Sequence, residues 1–436
     1  MRGLLALAAV TAAGASPVIS VADEQNASRA PGDQAEVAIA AAPNDANVLV
    51  GASGGLARMR TYTSTDGGTT WRSAADVPDT LAGDLPLGDP VPAVDAAGHE
   101  YLAFVAASPT TTEPYFGLVT RDGPDDEWQP TNRPIVDERL QDKPMLAVDN
   151  APGSPHPGRL YLGGAEFRPG RPLATLVLTH SDDRGVTWSA PVAITTGRAQ
   201  TIPQFLTLTV GPGGVLYAGW FRVNGTLDVA RSLDGGETFA PFRVVVRLAA
   251  RAAAWTLPAQ TFPGRGERRG VTATPLLRLD TTDGPYAGRV YLGYEDRRNG
   301  RTNPYVLRLT PDLRPIGRPV PVVAASRAAD RFFPAIDVDE TTGDVWDCFY
   351  ATDRGGDRLH VRYACAASSN GGASWSHLAR GASRFSRVTR RTADISFGYG
   401  DYEGVAAAGG AAHPMWTDAR PGSNGSEVWT ATLGAR

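Results

Sequence analysis

One octapeptide recurs four times along this chain, and the repetition limits the fold more than any other feature does. Its frame is Ser-x-Asp/Asn-x-Gly-x-Ser/Thr-Trp/Phe. The copies are STDGGTTW from Ser64, SDDRGVTW from Ser181, SLDGGETF from Ser232 and SSNGGASW from Ser368. Repetition of this kind indicates an architecture assembled from copies of one supersecondary unit.

Each octapeptide lies between two short runs rich in Val, Leu, Tyr and Thr, and turn residues separate these runs. The pattern predicts a four-stranded meander that recurs at a period of roughly 50 to 60 residues. Seven segments have the pattern of a first strand: EVAIAAAP, DPVPAVD, KPMLAVD, QFLTLTV, TPLLRLD, FPAIDVD and DYEGVAA. Helical periodicity is nearly absent. We therefore predict an all-β domain, a β-propeller of seven four-stranded blades, with six blades and an extra strand pair as the alternative.

The last module shows only three strands, so we expect residues near the N terminus to supply its fourth strand and close the ring. The octapeptide itself is predicted to form the turn between the third and fourth strands of a blade. Its Asp can bond nearby backbone N–H groups, its Gly can take the left-handed conformation, and its aromatic residue can pack on the sheet. This interpretation gives the octapeptide a structural role.

The N-terminal residues have the features of a secretory signal. Met1-Arg2 precedes an apolar run from Gly3 to Ala15, and Ser20-Val21-Ala22 provides small residues for cleavage. We predict a signal peptide over 1–22, a single domain over 23–436 and a secreted protein. No apolar run reaches membrane length. The net charge of -4 gives no reason to expect nucleic acid as a partner.

The chain contains two cysteines, Cys348 and Cys365, and both lie in strand-like segments. A hairpin folded about Gly356 places them opposite each other, within disulfide reach. The sequence therefore predicts a disulfide bond between them.

The repeated SxDxGxTW resembles the Asp-box, or BNR repeat, of the sialidase-like superfamily. The segments DKPMLAVD and GDYEGVAAAGGAAHPMWTDAR resemble those of secreted bacterial proteins of that group, often described as exo-alpha-sialidases. The resemblance covers nearly the whole mature chain. It implies a propeller fold and a sialidase-like exo-glycosidase activity. Asp-boxes also occur in propellers with other glycosidic activities or with none.

A meander alternates in direction, so its loops divide between two faces. The octapeptides lie on one face, and the starts of the innermost strands lie on the other, around the mouth of the central channel. Acids and one lysine recur at that position. The residues at or beside it are Glu36, Asp89, Asp142, Lys143, Thr274, Arg331, Phe333 and Asp401.

The ends of second strands carry a further pattern, in which an aromatic residue, an aspartate and an arginine follow one another towards the same face. Arginine can hold a carboxylate with two hydrogen bonds, and paired carboxyls can serve as acid and base in glycoside hydrolysis. This combination favours an acidic sugar as the ligand. The residues concerned are Arg298 after Tyr294, Arg354 after Tyr350, and Arg420 after Trp416.

For a glycoside hydrolase, we expect Asp89 or Asp142 to act as general acid, and Tyr402 or Glu403 as nucleophile or base. Asp401 completes the catalytic candidates. The candidates for substrate binding are Glu36, Lys143, Arg298, Arg331, Arg354, Arg420 and Trp416. The expected partner is a glycan or glycoconjugate, bound by a monomer.

The alternative is a non-catalytic propeller that binds a glycan or a protein. Sialidases carry an Arg-Ile-Pro motif on an early inner strand, whereas this chain has EVAIAAAP there, without arginine. The six histidines show no metal-ligand spacing. We expect no cofactor, although an acidic channel mouth could hold Ca²⁺ through oxygen ligands. The basic segment from Arg247 to Arg269 is predicted to be an inserted loop on the ligand face.

Overall fold

The computed structural model describes residues 18–22, 24–29, 33–55, 58–108, 113–136, 139–167, 174–195, 202–261, 268–353, 356, 358–388, 398–423 and 425–435. Its sheets form seven four-stranded blades, which confirms the predicted fold class. The first strand of each blade packs against the first strands of both neighbouring blades, all the way around the ring. These seven strands enclose a central channel.

The strands are numbered along the chain, and each blade uses consecutive strands apart from the last. Before blade 1 lie β1 (Ile19–Val21) and β2 (Gln25–Asn26). Blade 1 contains β3 (Gln34–Ala42), β4 (Asp45–Gly55), β5 (Arg60–Ser64) and β6 (Ala75–Asp76). Blade 2 contains β7 (Leu85–Val94), β8 (Glu100–Ala107), β9 (Tyr115–Arg121) and β10 (Gln129–Pro130). Blade 3 contains β11 (Leu140–Val148), β12 (Leu160–Phe167), β13 (Ala174–Ser181) and β14 (Val192–Ala193).

Blade 4 contains β15 (Pro203–Gly211), β16 (Val215–Arg222), β17 (Thr226–Ser232) and β18 (Arg243–Arg247), with a 3-10 turn at Pro212–Gly214. A hairpin of β19 (Ala254–Thr261) and β20 (Arg268–Thr272) follows. Blade 5 contains β21 (Leu276–Leu279), β22 (Val290–Arg298), β23 (Arg301–Leu309) and β24 (Val320–Pro321). Blade 6 contains β25 (Arg331–Val338), β26 (Val345–Thr352), β27 (Val361–Ser368) and β28 (Ala379–Arg380). The remaining strands are β29 (Gly404–Ala408), β30 (Ala411–Asp418), β31 (Glu427–Thr430) and β32 (Leu433–Ala435).

Blade 7 joins the two ends of the chain, as the three-stranded last module predicts. Its β29, β30 and β31 are completed by β2, with Gln25 opposite Thr430 and Asn26 opposite Trp429. Strand β1 pairs with β32, which also pairs with β30. The ring is therefore closed by backbone hydrogen bonds. Residues 1–17 of the predicted signal peptide lie outside the described residues, whereas β1 falls within the last part of that predicted segment and pairs with β32.

The octapeptides form the turns between third and fourth strands, and their hydrogen bonds explain the repeated residues. Ser64 Oγ accepts from the backbone N–H of Gly68 at 2.9 Å. Asp66 Oδ1 accepts from the N–H of Thr70 at 2.8 Å, and Asp66 Oδ2 accepts from its hydroxyl at 2.6 Å. Gly68 has a φ of 78°, which favours glycine, and Trp71 is buried. Matching serine and Asp or Asn bonds recur in the other three copies.

The predicted disulfide is present in blade 6. Cys348 on β26 lies opposite Cys365 on β27, and their Cα atoms are 4.0 Å apart. Both residues are fully buried. The bond joins two neighbouring strands of one blade and closes a loop with a sequence separation of 17. No helix in the described part of the chain is long and apolar enough to cross a membrane.

Candidate functional site

The inner strands carry the same backbone irregularity at the same height, and this irregularity positions the candidate residues. Five of the seven inner strands have a non-glycine residue with φ between 52° and 57°. A shift of the pairing register coincides with each one. A bulge of this kind re-aims a side chain, and left-handed non-glycine residues occur most often at functional sites. The residues are Glu36, Asp89, Lys143, Phe205 and Phe333.

Lys143 lies at the centre of the charged group that these bulges create. Its Nζ donates to Asp89 Oδ1 at 2.6 Å, to Asp401 Oδ2 at 3.0 Å and to Glu36 Oε1 at 3.4 Å. The side chain of Lys143 is 14% exposed. Burial lowers the pKa of Lys143, but the Asp89, Glu36 and Asp401 carboxylates outweigh it and hold that pKa well above its ordinary value. The lysine of blade 3 therefore joins acids from blades 2, 7 and 1.

Two aromatic rings flank the ammonium group. Nζ of Lys143 lies 5.2 Å from the ring centroid of Phe205 and 5.3 Å from that of Tyr402. The Tyr402 hydroxyl donates to Asp89 Oδ1 at 3.2 Å. Burial, followed by the charges of Asp89 and Glu36, raises the pKa of Tyr402 well above its ordinary value. Tyr402 is therefore a neutral hydrogen-bond donor in this site.

A cavity of about 350 Å³ opens above the charged group, and we call it the mouth cavity. Below the charged group lies the central channel, a second cavity of about 550 Å³ lined by all seven inner strands. Lys143 and Asp89 line both spaces. The mouth cavity therefore has a floor of ion-paired side chains. Charged residues that line it are Asp33, Glu36, Asp89, Asp142, Lys143 and Asp401.

Asp142 differs from the other acids of the mouth cavity. No ion pair joins it to Lys143, although the two residues are adjacent in the chain. Burial, reinforced by the charge of Asp89, raises the pKa of Asp142. The site thus holds a carboxyl whose pKa is raised close to carboxylates bound to an ammonium group. In enzyme active sites, two carboxyl groups in different environments have different pKa values, so that one can act as the acid and the other as the base.

Glu403 makes its contacts elsewhere. Its Oε1 accepts from the Tyr350 hydroxyl at 2.6 Å, and its Oε2 accepts from the backbone N–H of Thr417 at 3.1 Å. Burial raises the pKa of Glu403 well above its ordinary value. Tyr350 is fully buried, and the carbonyl of Thr417 also lies against its hydroxyl. Glu403 therefore links blades 6 and 7, and it does not form a pair with the neighbouring Tyr402.

Two of the arginines predicted to hold an acidic sugar form ion pairs with aspartates two residues earlier in the chain. Arg298 donates to Asp296 at 2.9 Å and stacks on Tyr305, with 3.9 Å to the ring centroid. Arg420 donates to Asp418 at 2.7 Å and to Glu24 at 2.6 Å. These guanidinium groups already have carboxylate partners.

Three further substrate-binding candidates complete the comparison. The buried Arg331 donates to Asn303 Oδ1 at 2.8 Å. Trp416 is fully buried and stacks on Tyr363 with 5.2 Å between ring centroids. Arg354 lies outside the described residues.

The basic segment before blade 5 contains the hairpin of β19 and β20, where the sequence pattern indicated a loop. The indole of Trp255 donates to Thr302 in blade 5 at 2.9 Å. Gln260 donates to the carbonyl of Gly400 at 2.9 Å and accepts from the N–H of Tyr399 at 3.1 Å. The hairpin therefore reaches from blade 5 to the segment that leads into blade 7. The described residues contain no group of three or more His, Cys, Asp or Glu that could hold a metal ion.

Solved structures with the same architecture were found. A protein of unknown function from Dyadobacter fermentans aligns over 96% of this chain and 99% of its own, with 14% identity and a TM-score of 0.52. An alpha-L-arabinanase from Penicillium chrysogenum, in complex with arabinobiose, aligns over 80% and 98%, with 14% identity and a TM-score of 0.52. A PL25 ulvan lyase bound to a GlcA-Rha3S fragment aligns over 94% and 95%, with 11% identity and a TM-score of 0.51.

No family model matches the chain, and no curated protein does. At these identities the solved structures establish the fold alone. They confirm the propeller that the resemblance to sialidases implies. Sialidase activity and secretion stay predictions.

Proposed function

We propose that this protein is a glycoside hydrolase that cleaves a neutral sugar in the mouth cavity. The observation that carries the proposal is the pairing of Asp142, whose pKa is raised, with carboxylates held by Lys143 in the same cavity. Hydrolysis needs one carboxyl that donates a proton and one carboxylate that accepts a proton or attacks. The two environments of this cavity match those two roles.

In the proposed reaction, Asp142 donates its proton to the glycosidic oxygen, and the leaving group departs as an alcohol. Asp89 or Asp401 accepts a proton from a water molecule, and the hydroxyl of that water adds to the sugar. Lys143 donates a hydrogen bond to each of these two carboxylates and so orients them. Tyr402 is a positioning residue through its hydrogen bond to Asp89. Phe205, which the sequence pattern did not single out, provides an apolar surface beside the ammonium group.

The charge of the site favours a neutral sugar over a sialic acid. Five carboxyl groups and one ammonium line the mouth cavity. A sugar carboxylate would be repelled there, and Arg298 and Arg420 are already paired with acids of the protein. The Penicillium chrysogenum structure is in complex with arabinobiose, a neutral sugar. Arabinofuranosides therefore belong in the first set of substrates to be tested.

The test is hydrolysis of a panel of 4-nitrophenyl glycosides of neutral sugars, including the α-L-arabinofuranoside, together with sialyl-lactose. We expect turnover of at least one neutral glycoside and none of sialyl-lactose. Asp142→Asn should lower kcat by about 10²- to 10⁴-fold, the typical contribution of a general acid. Asp125→Asn is the matched control, because Asp125 is an exposed acid paired with Arg72 on the surface. Equal activity of the two variants would contradict the assignment.

A non-catalytic glycan-binding propeller is the second candidate. The observation that favours it is the saturation of Lys143 by three carboxylates, which leaves the ammonium group no free donor for a substrate. A glycan array followed by calorimetry tests this reading. Glycan binding without turnover of any glycoside, and without dependence on Asp142, would favour it over hydrolysis.

A further inference from the structure

Exposed leucines are concentrated next to the mouth cavity. Within the described part of the chain, the exposed leucines are Leu81 at 64%, Leu85 at 44%, Leu87 at 49% and Leu233 at 68%. Three of these four fall within one short segment that leads from blade 1 into blade 2, and we call them the leucine patch. Single exposed apolar residues are ordinary, whereas a local concentration of them marks an interaction site.

The leucine patch is held in a fixed conformation. The N–H of Thr80 donates to the carbonyl of Asp84 at 3.0 Å, and the N–H of Gly83 donates to the carbonyl of Thr80 at 2.8 Å. The hydroxyl of Tyr115 on β9 donates to Asp84 Oδ2 at 2.6 Å. Leu81 therefore lies on a closed turn that is anchored to blade 2. A surface ordered before binding loses little conformational entropy when a ligand covers it.

The leucine patch is continuous with the mouth cavity. Leu87 lies where the pairing of β7 with β8 shifts between Pro86 and Gly88, and it lines the cavity together with Asp89 and Asp142. A Cβ atom added at Gly88 would meet nothing nearer than a Glu36 oxygen at 3.7 Å. An apolar surface thus begins two residues before Asp89, and Leu87 shares the mouth cavity with the candidate carboxylates.

We propose that the leucine patch binds an apolar leaving group, so that the substrate is a glycoside of an alkyl or aryl alcohol. This inference rests on the proposed function, because it assumes that the sugar occupies the mouth cavity. In this proposal, a sugar ring beside Asp142 places its aglycone against Leu87, which lines the same cavity. An alkyl or aryl group there covers leucine surface that water otherwise contacts. A second sugar in that position would leave its hydroxyl groups against leucine.

The first arm of the test measures binding and needs no turnover. Octyl and methyl β-D-glucopyranoside are titrated into the full chain by calorimetry, with the octyl compound kept below its critical micelle concentration. We expect the octyl compound to bind about tenfold more tightly, because its chain covers two half-exposed leucines. The variant Leu85→Ser/Leu87→Ser should abolish this difference. Leu233→Ser, at the exposed leucine of an octapeptide turn on the opposite face, is the matched control.

The second arm compares kcat/KM for the methyl and octyl glycosides of whichever sugar the panel identifies. A preference for octyl that the leucine double variant removes supports the proposal. Hydrolysis with no dependence on the alkyl chain overturns it and leaves the proposed hydrolase intact. Leucine-dependent octyl binding without any hydrolysis supports the apolar subsite and counts against the hydrolase.

Two further outcomes are informative. If the double variant does not fold, Leu81→Ser on the exposed turn should still weaken octyl binding by about two- to threefold. If sedimentation shows a dimer that the leucine variants dissociate while octyl binding is unchanged, the leucine patch is a subunit interface and the proposal is wrong.

Discussion

Replacing Lys143 by methionine tests whether its ammonium group stabilises the hub. The variant keeps an unbranched side chain, one atom shorter, and removes the charge that lies 2.6 to 3.4 Å from three carboxylate oxygens. At an effective dielectric constant of about 20, each such contact contributes about 5 to 6 kcal/mol of attraction. Desolvation of the buried ions offsets several kcal/mol of this total, and breaking a buried pair typically costs about 3 to 5 kcal/mol. We expect a loss of that size in the free energy of unfolding at pH 7.

The loss should depend on pH with a defined sign. An uncompensated carboxyl in the folded variant can take up a proton, which costs about 4 kcal/mol at pH 7 for a group with an unfolded pKa near 4. The folded variant then binds more protons than its unfolded chain, so its stability falls as the pH rises. The difference from the unmodified protein should shrink by about 1.4 kcal/mol per pH unit for each proton between pH 7 and pH 5.

Urea unfolding followed by tryptophan fluorescence at both pH values provides the measurement. Arg72→Met is the matched control, because Arg72 contacts Asp125 at 2.6 Å on the surface, where a pair contributes about 0 to 1 kcal/mol. A Lys143→Met loss no larger than that of the control, or one that does not change with pH, would refute the reasoning.

Three other perturbations have defined outcomes. Replacing Cys348 and Cys365 by alanine should lower the free energy of unfolding by about 3 kcal/mol, because the disulfide closes a loop with a sequence separation of 17. Calorimetry should show a Tm lower by roughly 3 to 4 °C. An unchanged Tm would contradict this expectation. Asp347 is fully buried, neither of its carboxyl oxygens has a hydrogen-bond partner within the described residues, and burial raises its pKa well above the ordinary value. Its contribution to stability is therefore complete below the unfolded pKa and is lost as the pH rises through the folded pKa. Asp347→Asn should flatten the fall of Tm as the pH rises above the unfolded pKa, and a parallel fall in both proteins would count against burial as the cause. Gln260→Ala removes two buried hydrogen bonds to the backbone of residues 399–400. Hydrogen exchange of the Tyr399 amide should therefore become about five- to tenfold faster. An unaltered exchange rate would show that other contacts hold the hairpin of β19 and β20.

The sequence predicts the blades well, because a repeat supplies the same evidence several times. The octapeptide marks the third turn of a blade, and alternation along each strand gives its inward and outward positions. Alignment of the seven first-strand segments then places Glu36, Asp89, Lys143 and Asp401 at one height of the channel. Their contact in the structure follows from ring closure alone. Phe205 occupies the same height, but its polar neighbour Gln204 obscured the alignment of that strand.

The arginines show where the sequence evidence ends. In the segment that ends at Arg298, Asp296 and Arg298 are two residues apart, so their side chains emerge on the same side of β22 and reach each other first. Arg420 and Asp418 repeat this arrangement in blade 7. Strand alternation therefore favours local ion pairs over contacts across the channel. Arg420 also contacts Glu24, which lies just before β2 and is remote in sequence. This contact can be expected only once blade 7 is known to be closed by β2.

The choice of lysine at the hub follows from geometry. Lys143 is the only lysine of the chain, and all other residues among the 42 Lys and Arg are arginine. Its three partners belong to three blades, so the donors must point in three directions from one nitrogen. An ammonium group presents three donors around a single atom, whereas the donors of a guanidinium group all lie in one plane. Lys143→Arg should therefore disturb the orientation of the candidate carboxylates even though the charge is kept. If the protein is the proposed hydrolase, Lys143→Arg should have a lower kcat but a higher free energy of unfolding than Lys143→Met. The reason is that the positive charge stabilises the ring, whereas the reaction depends on the orientation of the carboxylates.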